Sequence, residues 1–422
     1  MATIDDPRGA AALAEAHVRP VSEAERLPVM DVLRGFALLG IFLMNIEFFN
    51  LPMQQFGSGV VPGQGLDTAA GLFVALFVQG KFWVLFALLF GMGFALMRQR
   101  AVDAGRPFVG TYLRRTLLLM LFGALHIVLL WVGDILLAYG LAALLLLVLV
   151  KLRGTAALVL GVLLFVLLCG FWLLSGVALM FMPESMLGPV GAQFAAIAAE
   201  GAQAAQVYRE GGFMEVVQQR IDDYGYLMTN AVIFQIPMMV GVFLIGSWLV
   251  GTGRLRDPGA NSGFFTKLAV GGLLLGGVGV AASAAVGTHF DLVTQFAEAT
   301  VAMGLNQLAS LPLALGYLGL VVLGTLSPAG RAFGVLAPAG RMALTNYLAQ
   351  SLIASLVFYG YGLGLFGEVG RAAQVGFVLV VFAAQVAFSH WWLARFRFGP
   401  LEWLWRAGTY LQWPPLRRTA HA

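Results

Sequence analysis

Residues 30–50 read MDVLRGFALLGIFLMNIEFFN. The run is long enough for a helix across the hydrocarbon core, which takes about 20 mostly apolar residues. It opens on Asp31 and Arg34, three positions apart and so on one helix face, and carries Asn45 and Glu47 toward its far end. Arg34 and Asn45 are about three turns apart at roughly 3.6 residues per turn, so they share that face. Charged and amide groups inside an apolar helix are costly and turn toward the interior of a bundle. This one segment therefore points to a membrane-spanning fold and marks where its polar interior begins.

Working outward, comparable segments follow the first span (30–51) at 80–98, 112–132, 134–150, 155–181, 229–251, 264–288, 301–324, 341–363 and 372–396. The stretch 67–79 (DTAAGLFVALFVQ) is too short to span and is expected along the interface before the second span. Composition agrees with this reading. Of 422 residues, 60% are hydrophobic and 11% charged, whereas a soluble domain carries about 25% charged residues. The expected fold is all-α: a polytopic integral membrane protein of about ten transmembrane helices.

Counted on alternate sides of those spans, all but four of the 25 Lys and Arg fall on one side. The four are Lys81, Arg209, Arg220 and Arg371. Cytoplasmic loops retain positive charge, so both termini are placed in the cytoplasm and the protein in a bacterial inner (plasma) membrane. The formal charge of +4 then reports topology, and nucleic acid is not an expected partner. Residues 1–28 read as a cytoplasmic tail rather than a cleaved signal, because no short apolar core with a small-residue cleavage site precedes the first span. The chain divides into that tail, an N-terminal bundle over 29–181, an extracytoplasmic loop over 182–228, a C-terminal transmembrane domain over 229–415 and a short cytoplasmic tail, 416–422. The loop holds Glu184, Glu200, Glu210, Glu215, Asp222 and Asp223. Its helical composition, broken at Gly211–Gly212, suits an amphipathic hairpin or a lid over an outward cavity. Cys169 is the only cysteine, and no CxxC, HExxH, GxSxG or Walker A pattern occurs, so no disulfide, metal or nucleotide loop is expected.

The polar groups within the spans are the functional clues. The run 112–140, YLRRTLLLMLFGALHIVLLWVGDILLAYG, carries His126 and Asp134. His126 lies roughly 18 Å along the axis from Arg114 at about 1.5 Å per residue, past the midplane. Asp134 follows about two turns later, so both can face one cavity. A carboxylate beside an imidazole orients it and raises its basicity, as a general base requires. The plainer alternative is a structural buried histidine. Lys81, in VQGKFW, is the one basic residue at the outer start of a span. It pairs with Glu47 or Asp134, binds an anion, or snorkels to the interface. Asp31–Arg34 reads as an interfacial ion pair or a ligand contact, and Asn45 as an interhelical hydrogen bond or a site residue. Thr345, Asn346, Gln350 and Ser351 form a stripe in GRMALTNYLAQSLIAS that either binds substrate or joins helices, and Pro237 marks a kink.

Several longer pieces carry a family resemblance: VMDVLRGFALLGIFLMN, GKFWVLFALLFGMGFAL, GALHIVLLWVGDILLAYG, GRMALTNYLAQSLI, FYGYGLGLFG and FRFGPLEWLWRAGTY. With them the chain resembles the YeiB-like family of bacterial membrane proteins, whose C-terminal half is a domain of unknown function. The N-terminal half is also similar to the transmembrane acyltransferase superfamily that includes heparan-α-glucosaminide N-acetyltransferase. Those enzymes move acetyl from cytoplasmic acetyl-CoA to a glycan across the membrane. Their first span has a D-x-x-R-G start and a later Asn, matched here by Asp31, Arg34, Gly35 and Asn45. Their catalytic His follows in the first outer loop; Phe56 stands there in this chain, and no His lies between Asn45 and Lys81.

The resemblance implies an acyl-CoA-dependent transmembrane acyltransferase. Acyl-CoA (acetyl-CoA) would dock at Asp31, Arg34, Arg114 and Arg115. His126, oriented by Asp134, would act as general base, with Asn45 on the developing oxyanion. Glu47, Lys81, Asn346 and Gln350 would contact substrate, and the acceptor would be a glycan or another small molecule. The bilayer and a second copy of the chain are the other expected partners. A small-molecule transporter and a non-catalytic membrane scaffold are the competing readings.

Overall fold

The computed structural model describes residues 27–418, so the expected tails lie mostly outside the described residues. A backbone in lipid must satisfy its own N–H and C=O groups, and apolar sequence answers with helices. The chain forms α1 (Pro28–Asn45), α2 (Leu66–Phe77), α3 (Lys81–Asp103), α4 (Val109–Leu129) and α5 (Leu136–Val148). It continues with α6 (Gly154–Met180), α7 (Glu184–Glu210), α8 (Phe213–Asn230), α9 (Ile236–Gly251) and α10 (Ser262–Val286). The last elements are α11 (Phe296–Leu326), α12 (Ala343–Phe358), α13 (Arg371–Arg395) and α14 (Pro400–Tyr410). Among the described residues the β pairing amounts to two isolated bridges, Gly59–His289 and Phe396–Arg417.

This is an all-α, multi-pass membrane protein. Eight helical segments among the described residues are long and apolar enough to cross a membrane, with α2 and α3 counted as one. The two remaining expected spans are shorter apolar helices, α5 with 13 residues and α12 with 16. Both are cut short for a visible reason. The chain runs without helix through 131–135 before α5, and through two one-turn helices, Gly330–Gly334 and Ala337–Arg341, before α12. Irregular backbone at membrane depth persists only where protein buries it or where it lines a cavity. Both breaks border the cavity described below.

Helix α9 is central and packs on α3 and α6. A Cβ on Gly91 would stand 2.1 Å from the Phe243 carbonyl oxygen, and one on Gly246 would stand 2.1 Å from that of Leu88. The α3 and α9 backbones therefore touch through paired glycines, the usual device where helices cannot rely on water to drive them together. Helices α6 and α10 instead turn Leu167, Leu174, Leu274 and Val278 outward, as lipid-facing helices do. Helix α2 turns into α3 at left-handed Gly80, packs on α13, and has Asp67 Oδ1 accept the Ala372 N–H at 2.8 Å. Helices α7 and α8 form the expected hairpin, broken at Gly211–Gly212. A π turn, Ala231–Gln235, then leads into α9, with Pro237 in its first turn.

The start of α1 is clamped against Ala337–Arg341. A Cβ on Gly340 would lie 1.9 Å from the Asp31 carbonyl oxygen, and one on Gly35 would lie 2.3 Å from that of Leu336. Gly340→Ala is therefore expected to destabilise the protein by about 1–3 kcal/mol, as overpacking does. A lower unfolding midpoint of the purified protein in detergent is the readout; an unchanged midpoint would contradict the close approach.

Candidate functional site

At the arginine-rich end a cavity of about 290 Å³ enters the bundle. Its mouth carries Arg34 from α1, Arg100 from α3, Arg115 from α4, Arg341 from the one-turn helix before α12, Arg397 from the loop before α14, and Arg406 from α14. Asp31 bonds Arg34 at 2.8 Å beside them. Helix α3 presents Phe86, Phe90, Gly93, Met97 and Arg100 along one wall. Arg100 to Phe86 spans roughly 20 Å at about 1.5 Å per residue. Leu38, Ile41 and Leu89 keep the shaft apolar, and Ile135, Leu136, Tyr139 and Tyr347 also line it.

Tyr347 stands between this cavity and a buried acid–base pair. His126 Nδ1 lies 2.8 Å from Asp134 Oδ2, and both side chains are fully buried. Asp134 Oδ1 accepts the Leu137 N–H at 2.8 Å, which holds the carboxylate at the start of α5. An ionised carboxylate only accepts, so a neutral imidazole here carries its proton on Nδ1 and presents a lone pair at Nε2. That Nε2 is buried without a hydrogen-bond partner, and so is the Tyr347 hydroxyl. The two rings sit 5.1 Å apart. The imidazole acceptor and the phenol donor thus sit in touching rings without bonding each other. Trp131 closes another side, 6.3 Å from the imidazole, held by stacking on Phe49 and by donating to the Phe48 carbonyl at 3.2 Å.

The α7–α8 hairpin is fastened onto α4 beside the pair. Arg220, fully buried, donates to the Val128 carbonyl at 3.0 Å and to the Tyr361 hydroxyl at 2.7 Å, and packs over the Tyr359 ring. Buried Asp223 accepts from Gln54 at 2.8 Å, Gln219 at 2.9 Å and the Tyr208 hydroxyl at 2.7 Å. Burial, with Tyr359 and the Asp223 carboxylate beside it, pushes the Tyr208 phenol well above its usual value and keeps it a neutral donor. Burial, and after it the Asp134 carboxylate, likewise raises the Tyr224 phenol on α8.

The chain is similar to other bacterial proteins over nearly their whole length. The chain is 33% identical to "Uncharacterized protein YxaH" of Bacillus subtilis (strain 168) over 420 residues, 95% of this chain and 98% of that one. It is a member of the YeiB-like family. "Uncharacterized protein YeiB" of Escherichia coli (strain K12) is 33% identical over 390 residues, 90% of this chain and 96% of that one. The family's sequence profile, "Protein of unknown function (DUF418)", matches residues 249–412. That region contributes Tyr347 and the α14 wall of the cavity. No solved structure matches the chain.

The structure brings together some of the sequence-derived site residues and separates others. His126 meets Asp134, while Asp31, Arg34 and Arg115 line the cavity mouth. Lys81 corrects its expectation. It is fully buried, donates to Asn306 and to the Ala75 carbonyl, and neither snorkels nor pairs with Glu47 or Asp134. Gly80 turns the first residue of α3 toward α11, and Glu47 pairs with Arg371 instead, at 3.1 Å. Asn45 is half-buried and lies outside the cavity lining. Arg114 ties α4 to α14 by donating to the Thr409 carbonyl at 2.9 Å. Asn346 bonds Ser389 and the Ala339 carbonyl, and Gln350 bonds Gln385, so both join helices. Sequence reasoning missed Tyr347 and Glu402. Both lay in quoted motifs, but a tyrosine or glutamate there gains meaning only from the helix packed against it.

Proposed function

We propose that the protein is a membrane acyltransferase. It takes an acyl group from an acyl-CoA, acetyl-CoA being the simplest, and delivers it to a glycan or other small-molecule acceptor across the bacterial inner membrane. The arginine-rich end faces the cytoplasm, where positive charge is retained and CoA is found. The observation that carries this reading is the cavity itself, which starts among arginines and runs to Tyr347, against the unpartnered His126 Nε2. Guanidinium groups suit the phosphates of CoA. The shaft, roughly 20 Å along α3, suits an extended pantetheine arm.

In the proposed step, His126 Nε2 takes the proton of the acceptor O–H or N–H as that atom attacks the thioester carbon. The new acyl bond forms and the C–S bond breaks. The imidazolium then gives its proton to the departing thiolate, and CoA leaves as the free thiol. Tyr347 Oη donates to the carbonyl oxygen as negative charge develops there, the role Asn45 was expected to fill. Asp134 holds the ring and stabilises the imidazolium.

The purified protein, given labelled acetyl-CoA and an extract of envelope glycans, is expected to transfer the label to an acceptor and release CoA. Gly93 offers a separate check on the donor's path. It lines the cavity, and a Cβ there meets nothing within 4 Å. Gly93→Trp is expected to abolish CoA binding by calorimetry without lowering the unfolding midpoint. Unchanged binding would place the donor elsewhere.

A further inference from the structure

We infer that Glu402 is a positioning residue, which reaches from α14 to cap the N-terminus of α12 and thereby fixes Tyr347 at the cavity. The inference deepens the acyl-transfer reading and rests on it for what Tyr347 does.

Helix α12 begins without a cap of its own. Its preceding residue, Met342, has no side-chain cap bond. The first N–H groups of a helix have no partners within it and carry the positive end of its dipole. Here they point at a carboxylate from another helix. Glu402 Oε1 accepts the Leu344 N–H at 2.7 Å and the Thr345 N–H at 3.0 Å. Its Oε2 accepts the Thr345 hydroxyl at 2.6 Å, and that hydroxyl accepts the Leu401 N–H at 3.1 Å. Tyr347 follows Thr345 by two positions, so fraying of this turn would swing its ring.

The same helix grips the other half of the site. Arg114 Nε donates to the Thr409 carbonyl at 2.9 Å, and the Trp405 indole donates to the Arg115 carbonyl at 2.8 Å. Helix α14 is thus bonded both to α4, which carries His126, and to α12, which carries Tyr347. Burial raises the Glu402 carboxyl, and its bonds from Thr345 and Leu344 offset this only in part. A half-buried acid that lines the cavity and spends both oxygens on one helix start is built to hold that start.

The test uses the full chain in detergent, with Glu402→Ala, Glu402→Gln, Tyr347→Phe and the double variant Glu402→Ala/Tyr347→Phe. Hydrogen exchange over 343–348 and steady-state transfer from acetyl-CoA are both read. Glu402→Ala is expected to lose exchange protection there and to drop kcat by up to roughly 100-fold, the cost of a small misplacement, with the donor KM little changed. Glu402→Gln keeps a carbonyl for the two N–H groups and is expected to restore most of both. The double variant is expected to be no slower than Tyr347→Phe, because the two residues act as a unit. Retained protection in Glu402→Ala would overturn the positioning role whatever the turnover. So would a raised KM with unchanged kcat, which would make Glu402 a donor contact. Lost protection in a protein whose wild type transfers nothing would uphold the cap on Tyr347 and overturn the acyl-transfer reading instead.

Discussion

His126→Ala is expected to lower acyl transfer by about 10³-fold, within the range that a positioned general base contributes. The loss should fall on kcat, with the donor KM close to wild type, because the imidazole lies beyond Tyr347 and is not part of the cavity lining. Asp134→Asn should cost up to as much, for a reason in its bonding. Asp134 offers one oxygen to His126 Nδ1 and the other to the Leu137 N–H. An asparagine has a single carbonyl oxygen. If it keeps Leu137, its NH₂ faces Nδ1, the ring proton moves to Nε2, and the base is lost; a wrong imidazole tautomer elsewhere costs about 10⁴-fold. Stopped assays with labelled acetyl-CoA read both variants. Wild-type turnover in His126→Ala would remove His126 from the chemistry, and wild-type turnover in Asp134→Asn would remove the need for the carboxylate.

Arg220→Ala should have the largest effect on stability. The guanidinium is fully buried, bonds Val128 on α4 and Tyr361 after α12, and packs on two tyrosine rings. Truncation leaves a cavity and an unmet carbonyl, each costing about 1–3 kcal/mol or more. The expected outcome is a hairpin loosened from α4. Limited proteolysis should then cut near Gly211–Gly212 under conditions that leave the wild type intact. Arg220→Lys, with one nitrogen where two are used, should recover only part of the protection. An unchanged digestion pattern would mean that the hairpin is held by other contacts.

Much of the fold was legible because it follows from local rules. Apolar runs of spanning length became helices, and the Gly211–Gly212 break became the hairpin turn. The His126–Asp134 pair was legible for the same reason, since eight positions of chain connect its members. What was hidden depends on distant partners. Lys81 meets Asn306 across 225 positions, and Thr345 meets Glu402 across 57. Nothing near Lys81 announces that its turn faces α11 rather than α1. The shortness of α5 was hidden too. The run 134–150 is apolar enough to continue as helix, but Asp134 spends its side chain on His126 and on Leu137, and that starts α5 late.

Sided proteoliposomes separate acyl transfer across the membrane from transport of the intact donor. Acetyl-CoA carrying one label on the acetyl group and another on the CoA would be sealed on the arginine-rich side, with envelope glycans as acceptor on the other. The acetyl label is expected on the far-side acceptor while the CoA label stays behind as free thiol, and His126→Ala is expected to stop both changes. Passage of both labels together, or loss of neither from the donor, would contradict acyl transfer across the membrane.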